Sequence, residues 1–262
     1  MNIDLTGKRA IVCGSTQGIG RAVADELAKL GATVILVARN SESLQKVRSE
    51  LSCVARQSHE YVVADFSDAS ALKQKITTFI TKNPAVHILV NNAGGPPGGP
   101  AFAAQPEEFK QAFSNHLISN HILTQAVVPG MKAEKYGRII NIISTSIKQP
   151  IKGLGVSNTV RAAVANWAKT LAEELGPFGI TVNNVLPGAT KTTRLESIIA
   201  NRAKVSGTTV EEISQKMVAE IPAGRFAEPA EIAYAVAYLA SPAAAYVNGV
   251  SLPVDGGRTQ CL

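Results

Sequence analysis

Two stretches of this chain have residue types and spacings suited to a phosphorylated ligand. Gly14-Ser15-Thr16-Gln17-Gly18-Ile19-Gly20 spaces its glycines as G-x-x-x-G-x-G between an apolar run and a helical one. Glycines there let the backbone turn tightly and approach a pyrophosphate, whose charge is favoured by the N-terminus of the following helix. The next apolar run closes on Ala38-Arg39-Asn40. An acidic side chain at that point would bind a ribose diol, whereas the planar guanidinium of Arg39 suits a 2′-phosphate. The expected ligand is therefore NADP(H) in preference to NAD(H). A third stretch, Ser144-Thr145-Ser146, offers three successive hydroxyls after another apolar run.

These residues need a scaffold that delivers them to one place. Short apolar runs bounded by turn residues alternate with segments of helical period, the pattern of repeated βα units. Strands are predicted at Arg9–Cys13, Thr33–Val37, Glu60–Ala64, His87–Val90, Arg138–Ile143, Thr181–Val185 and Ser251–Val254. Helices are predicted at Ile19–Leu30, ending on Gly31 as a left-handed cap, at Ser41–Leu51 with Ser41 as its cap, and at Ala71–Thr81, Glu107–Met131, Ser157–Leu175 and Pro229–Leu239. The expected fold is α/β: a single-domain Rossmann fold over residues 1–262, with a doubly wound seven-stranded parallel sheet and helices on both faces. In such sheets ligands sit beyond the C-terminal strand ends. The loop Gly94–Pro100 and the loops after Cys13, Val37, Ile143 and Val185 should therefore line one site.

Composition narrows the rest. Of 262 residues, 45% are hydrophobic and 18% charged, enough apolar surface for a large core. The net charge of +6 suits anionic ligands, but the basic residues form no run and no aromatic-interleaved patch, so nucleic acid is not an expected partner. Cys13, Cys53 and Cys261 form no CxxC pair and are odd in number, so neither a disulfide framework nor a metal site is expected. With no apolar leader at the N-terminus and no long uncharged apolar segment, the expectation is a cytoplasmic protein without membrane contact.

GSTQGIG, Asp65 after the third strand, Asn91-Asn92-Ala93-Gly94 after the fourth, Pro187-Gly188 with Thr192, and the closing Asp255-Gly256-Gly257 recur in order over nearly the whole chain. Together they resemble the short-chain dehydrogenase/reductase family, its 3-oxoacyl-carrier-protein reductase branch in particular. The resemblance implies that Gly14, Ser15, Gln17, Gly18, Ile19, Gly20, Arg39 and Asn40 hold the cofactor. It also implies that Asp65 and Phe66 lie near the adenine, Asn92, Ala93 and Gly94 near the adenosine ribose, and Pro187, Gly188, Thr190 and Thr192 near the nicotinamide carboxamide or the phosphates. It implies a homo-oligomer, tetramer or dimer, packed through the long helices, and a helical substrate flap at about residues 191–221.

The catalytic half departs from that pattern. Family members use Asn, Ser, Tyr and Lys, with the Tyr as proton donor and the Lys lowering its pKa while binding ribose. Asn115 and Ser144 match the first two, but the spacing from Ser144 brings the Tyr position to Ser157 and the Lys position to Arg161. Four residues beyond Tyr61, Tyr136, Tyr234, Tyr238 and Tyr246 stand Asp65, Ile140, Tyr238, Pro242 and Val250, so no YxxxK exists. An aliphatic hydroxyl is a much poorer proton donor than a tuned phenol. Ser157 and Arg161 share a helical face, which leaves Arg161 able to hydrogen-bond ribose hydroxyls. Lys148, Lys152 and Lys191 are read as surface residues, Cys13 as a small core side chain, and His116 as a core or interface residue. The implied function is an NADP(H)-dependent carbonyl/alcohol oxidoreductase on a small-molecule substrate with an atypical site. The alternative is a non-catalytic dinucleotide-binding protein acting as sensor or partner subunit.

Overall fold

The computed structural model describes residues 1–83 and 85–261. Seven strands, β1 (Arg9–Cys13), β2 (Thr33–Ala38), β3 (Glu60–Val63), β4 (Ile88–Asn91), β5 (Gly137–Ile142), β6 (Ile180–Pro187) and β7 (Ser251–Val254), form one sheet in the order β3-β2-β1-β4-β5-β6-β7. Every pairing is parallel. The chain starts at the centre, runs outward to β3, then returns to place β4 on the other side of β1. That reversal opens a crevice between the loops that leave β1 and β4.

There are nine α-helices among the described residues: α1 (Gly18–Lys29), α2 (Ser41–Glu50), α3 (Ala69–Lys82), α4 (Pro106–Phe113), α5 (Ser119–Glu134), α6 (Gly155–Leu175), α7 (Thr193–Ser206), α8 (Val210–Ala219) and α9 (Pro229–Ala240). Because strand side chains alternate between faces, Val12, Leu36, Val90 and Ile140 pack on one face with Leu27, Leu44 and Val236. Ile11, Ile35, Leu89 and Ile139 pack on the other with Ile76, Val127 and Ala172. Each fully buried large aliphatic side chain contributes about 1.5–3 kcal/mol, so these two layers set the geometry of the sheet's working edge.

A polar row crosses the second face. Asn91 Nδ2 donates to Asn141 Oδ1 (2.9 Å), Asn141 Nδ2 to Asn184 Oδ1 (3.0 Å), and Asn184 Nδ2 to Ser251 Oγ (3.1 Å). These residues are also direct register partners across β4, β5, β6 and β7. A one-residue slip would break every bond of the row.

The structure corrects the sequence-based expectations at three places that bear on the site. The single helix expected over Glu107–Met131 is interrupted by a π turn, Ser114–Ile118, between α4 and α5. Helix α2 is capped by Asn40, whose Oδ1 accepts from Ser43 N at 2.7 Å, and not by Ser41. Helix α6 begins at Gly155, so Ser157 lies inside its first turn and does not open it. That early start follows from two backbone bonds, Gly99 N to Gly153 O (2.8 Å) and Gly155 N to Gly99 O (2.9 Å), which tie the Gly94–Pro100 loop to the helix entry. Strand limits also shift by one or two residues, most at β6, which extends through Pro187 because β7 pairs with it there.

Candidate functional site

At the turn after β1, Gly14 and Gly18 take φ of +59° and +54°, the left-handed region that glycine enters without strain. Helix α1 starts at Gly18 with Gln17 as N-cap residue and no side-chain cap bond. Its first backbone N–H groups therefore face the space above the turn, the arrangement that attracts an anion. Ser15 in the same turn is fully buried and its Oγ meets no partner. Half-buried Ile19 packs onto the first core layer. A Cβ on Gly20 would stand 2.1 Å from Gly14 O, so only glycine lets the helix come this close. Asn92 Nδ2 donates to Cys13 O (3.2 Å) and, more weakly, to Gly14 O (3.4 Å). The Asn92 side chain thus pins the glycine turn to the end of β4, and half-buried Ala93 and exposed Gly94 follow it.

At the next two strand ends, exposed Arg39 stands close enough to Asp65 to act on its charge. Asp65 Oδ1 accepts from Ser67 N at 2.9 Å, and that bond, aided by Arg39, holds its carboxyl below the usual value. Asn40 is engaged as the α2 cap. Phe66 packs half-buried on the second core layer, and its carbonyl accepts from Ser119 Oγ at 3.1 Å. Beyond β6, Pro187 leads into Gly188, where a Cβ would meet Asp255 Cα at 2.7 Å. Thr190 Oγ1 donates to Gly188 O (3.1 Å), and Thr192 caps α7 by accepting from Leu195 N (3.3 Å). Burial pushes the Cys13 thiol up to about 12, which keeps it an unreactive core side chain.

Ser144 follows β5 and accepts from Ser146 N through its Oγ at 3.1 Å, which leaves its hydroxyl proton to donate elsewhere. Two residues earlier, Ile142 O accepts from Arg161 Nη1 at 2.7 Å. This bond brings α6, with half-buried Ser157 one turn before Arg161, against the strand end that carries Ser144. Arg161 is buried, and its Nε has no partner. Burial, with the nearby charge of Arg194, pushes its pKa down to about 10. Asn115 lies in the π turn. With its amide nitrogen turned toward the carbonyls it donates to Phe66 O and Gln111 O, both at 3.2 Å, so its side chain is engaged toward β3 and not with Ser144.

Of the side chains the sequence left aside, Lys191 forms a surface ion pair with Glu228 at 2.5 Å. His116 is buried beside Arg161. Burial first, then the Arg161 charge, pushes its imidazole from 6.5 down to about 3. The folded protein therefore binds fewer protons than the unfolded chain between those values, and stability falls as pH drops through that window. Acidification from pH 7 to pH 5 is expected to cost about 2 kcal/mol through this group. His87, also lowered by burial, adds in the same direction. A His116→Gln variant should show a correspondingly smaller loss in urea midpoints measured at the two pH values; equal losses would place His116 outside the effect.

Sequence reasoning missed Arg194, and it reached Gly95 only as one member of the Gly94–Pro100 loop expected to line the site. Arg194 lies in the first turn of α7, near the start of the segment expected as a flap, which folds as α7 and α8, and its Nη2 donates to Pro96 O at 2.6 Å. The signal available was an arginine two residues after a motif threonine. No spacing rule gave it a partner. Among the described residues no cluster of His, Cys, Asp or Glu has the makings of a metal site, and no helix is long and apolar enough to cross a membrane.

A parallel sheet with this strand order and a glycine turn opening α1 define a Rossmann-type dinucleotide-binding protein. A family model described as enoyl-(acyl carrier protein) reductase matches residues 14–259. The chain is 32% identical over 255 residues to 3-oxoacyl-(acyl-carrier-protein) reductase of Vibrio cholerae, covering 97% of this chain and 98% of that one. It is 33% identical over 262 residues to 7alpha-hydroxysteroid dehydrogenase of Escherichia coli, covering 100% and 98%. The crystal structure of L-sorbose reductase from Gluconobacter frateurii, complexed with NADPH and L-sorbose, superposes with a TM-score of 0.93 at 30% identity over 100% of both chains. The chain belongs to the short-chain dehydrogenase/reductase family.

Proposed function

We propose that this chain is an NADP(H)-dependent oxidoreductase that interconverts a carbonyl and an alcohol, with Ser157 and Arg161 standing where its family carries Tyr and Lys. The observation that carries the reading is the delivery of Ser144, Ser157 and Arg161 to the same sheet edge as the uncapped α1 N-terminus and the strand ends that carry Arg39 and Asp65. The site fits the cofactor: two glycines sit in the left-handed region, α1 carries no capping side chain, and Ser15 Oγ is an unpartnered buried hydroxyl at the turn. Gly14, Ser15, Gln17, Gly18, Ile19 and Gly20 would hold the pyrophosphate, Arg39 and Asn40 the 2′-phosphate, and Asp65 and Phe66 the adenine. Ala93 and Gly94 would line the adenosine ribose. Pro187, Gly188, Thr190 and Thr192 would border the nicotinamide end. Bound NADPH supplies the hydride. Ser144, with Ser157 one helical turn from Arg161, hydrogen-bonds the substrate oxygen. Arg161 fixes the ribose and contributes positive charge where oxyanion character develops. With no phenol at 157, the proton comes from water or the substrate. NADPH consumption across a panel of ketones tests the reading, and no turnover on any of them would overturn it.

A second reading, a non-catalytic dinucleotide-binding subunit, draws on Arg161, whose buried guanidinium is anchored to Ile142 O in the manner of a structural residue. NADPH binding without turnover, coupled to capture of a partner, would favour it. The substrate flap is formed by α7 and α8, and the assembly is a homo-oligomer through the outer faces of α4–α5, where Phe113 and Ile118 are partly exposed, and of α6.

The cofactor assignment makes a direct prediction. Titration by fluorescence should give tighter binding of NADPH than of NADH, and Arg39→Ala should weaken NADPH alone by about 10–100-fold, the range for losing a charge-assisted phosphate contact. Equal affinities in the parent protein would overturn it.

A further inference from the structure

Two arginines converge on Gly95. The point where a Cβ on Gly95 would stand is 3.5 Å from Arg194 Nη2 and 3.9 Å from Arg161 Nη2. Arg161 comes from α6 on the sheet side and is only 8% exposed, and Arg194 comes from the first turn of α7 on the flap side. Each is held by one backbone carbonyl, Ile142 O for Arg161 and Pro96 O for Arg194. Among the described residues neither forms an ion pair with a carboxylate. Arg161 also keeps an unpartnered, buried Nε.

Two like charges converge on one point, one of them desolvated, and the Arg194 charge adds to burial in lowering the Arg161 pKa; an anion between them would relieve that repulsion. The carbonyl anchors fix the orientation of both forks but neutralise neither. Gly95 keeps open the space in which an oxygen atom could meet both Nη2 groups. Planar guanidinium groups are suited to a carboxylate in such a place, since each donates along a fixed direction.

We propose that Arg161 and Arg194 clamp a carboxylate of the substrate over Gly95, so that this site acts on oxo acids and their hydroxy-acid counterparts in preference to neutral ketones. The proposal rests on the oxidoreductase reading and names its substrate class. The clamp would anchor the acid end of the molecule beside Ser144 and Ser157, and α7 would bring the second arginine as the flap covers the site. The other source of an anion here is the cofactor's pyrophosphate, and the experiment separates the two.

Acetoacetate and 2-oxobutyrate are compared with their methyl esters, using NADPH, in the parent protein, Arg194→Gln, Arg194→Lys and Gly95→Ala. NADPH affinity is measured separately by fluorescence. The parent should favour the acids. Arg194→Gln should lower the acid-to-ester ratio of kcat/KM by at least about tenfold, the effect of losing a charge-assisted bond, and Arg194→Lys should restore part of it. Gly95→Ala adds a methyl at ordinary contact distance from both arginines, so the fold accommodates it while the anion's space closes. It should reduce the ratio with no change of charge. Acids and esters reduced equally well by the parent would overturn the proposal and leave the oxidoreductase reading standing. So would an Arg194→Gln variant that loses NADPH affinity with its acid-to-ester ratio unmoved, because the pair would then serve the cofactor phosphates. If no carbonyl compound is reduced, the oxidoreductase reading fails, and calorimetry of acetoacetate binding to NADP⁺-loaded protein decides the clamp. Binding that needs Arg194 supports it, and no such binding overturns it.

Discussion

Replacing Ser157 by Tyr together with Arg161 by Lys is expected to raise NADPH-dependent ketone reduction by about 10²–10⁴-fold, the usual contribution of a positioned general acid. The reason lies in what the site keeps and what it lacks. Ser144 stands at the end of β5 with a hydroxyl proton to donate, and α6 is tied to the same strand by the Arg161 bond to Ile142 O. What is missing is a donor whose pKa can approach neutrality. A serine hydroxyl cannot be tuned that far, and the Arg161 guanidinium remains cationic even though burial lowers its pKa to about 10. A phenol at 157 starts near 10 and is lowered by a neighbouring ammonium one helical turn away. Position 157 is half-buried in the first turn of α6, two residues beyond Gly155, whose N–H donates to Gly99 O in the Gly94–Pro100 loop. Ser157→Tyr alone should gain less, because the Arg161 fork stays anchored to Ile142 O and is too bulky to sit under the ring as a lysine would. The measurement is NADPH oxidation with an activated ketone, with thermal unfolding and NADPH affinity compared in parallel. A parent protein that is already fast, and a double variant that is slower, would make Ser157 or a neighbour the working catalyst and refute the account of the site as a reductase lacking its acid.

How far the sequence discloses this site depends on which interactions are local. The β1–glycine turn–α1 unit is written in consecutive residues: the apolar run AIVC after Arg9, then Gly14 and Gly18 at positions of positive φ, then a helical stripe ending at Gly31 with φ +93°. The same holds for the end of β2, where Arg39 follows directly on a buried strand. Arg161 is different. Its spacing from Ser144 placed it in the site, but its burial depends on Ile142 O from another element, and nothing in the α6 sequence encodes that partner. Asn115 was placed in a regular helix because apolar periodicity does not distinguish a π turn from an α turn over five residues. The row Asn91–Asn141–Asn184–Ser251 was invisible for a similar reason: each member sits in its own strand, and only the register of four strands aligns them. Arg194 escaped because no spacing rule ties it to Thr192 or to any other motif residue, and its meaning arises from Gly95 and Arg161, distant in the chain.

Gly20→Ala is expected to destabilise the protein by about 1–3 kcal/mol, the range for forcing one extra carbon into a close-packed site, and to weaken NADPH binding by about 100-fold or more. Gly20 lies inside α1, where replacing glycine by alanine in an unconstrained helix would stabilise by about 0.8–1 kcal/mol. Propensity alone therefore predicts a gain, and the sign of the result isolates the steric term. The added Cβ would stand 2.1 Å from Gly14 O, 2.8 Å from Gly14 C and 2.6 Å from Asn92 Nδ2. Two of those atoms are backbone and cannot rotate away, and the third is the amide that pins the turn to β4. Relief requires α1 to lift from the turn, which moves the N–H groups at its N-terminus away from the pyrophosphate they would bind. Stability and affinity should therefore fall together. Gly99→Ala provides the control, since a Cβ there meets nothing within 4 Å and its φ is not positive; its stability should stay within about 0.5 kcal/mol of the parent, as for surface changes generally. Urea unfolding and fluorescence titration with NADPH read the two effects. A Gly20→Ala protein as stable as its parent, with undiminished NADPH affinity, would show that the helix does not rest on the Gly14 turn and would remove the main physical support for placing the pyrophosphate there.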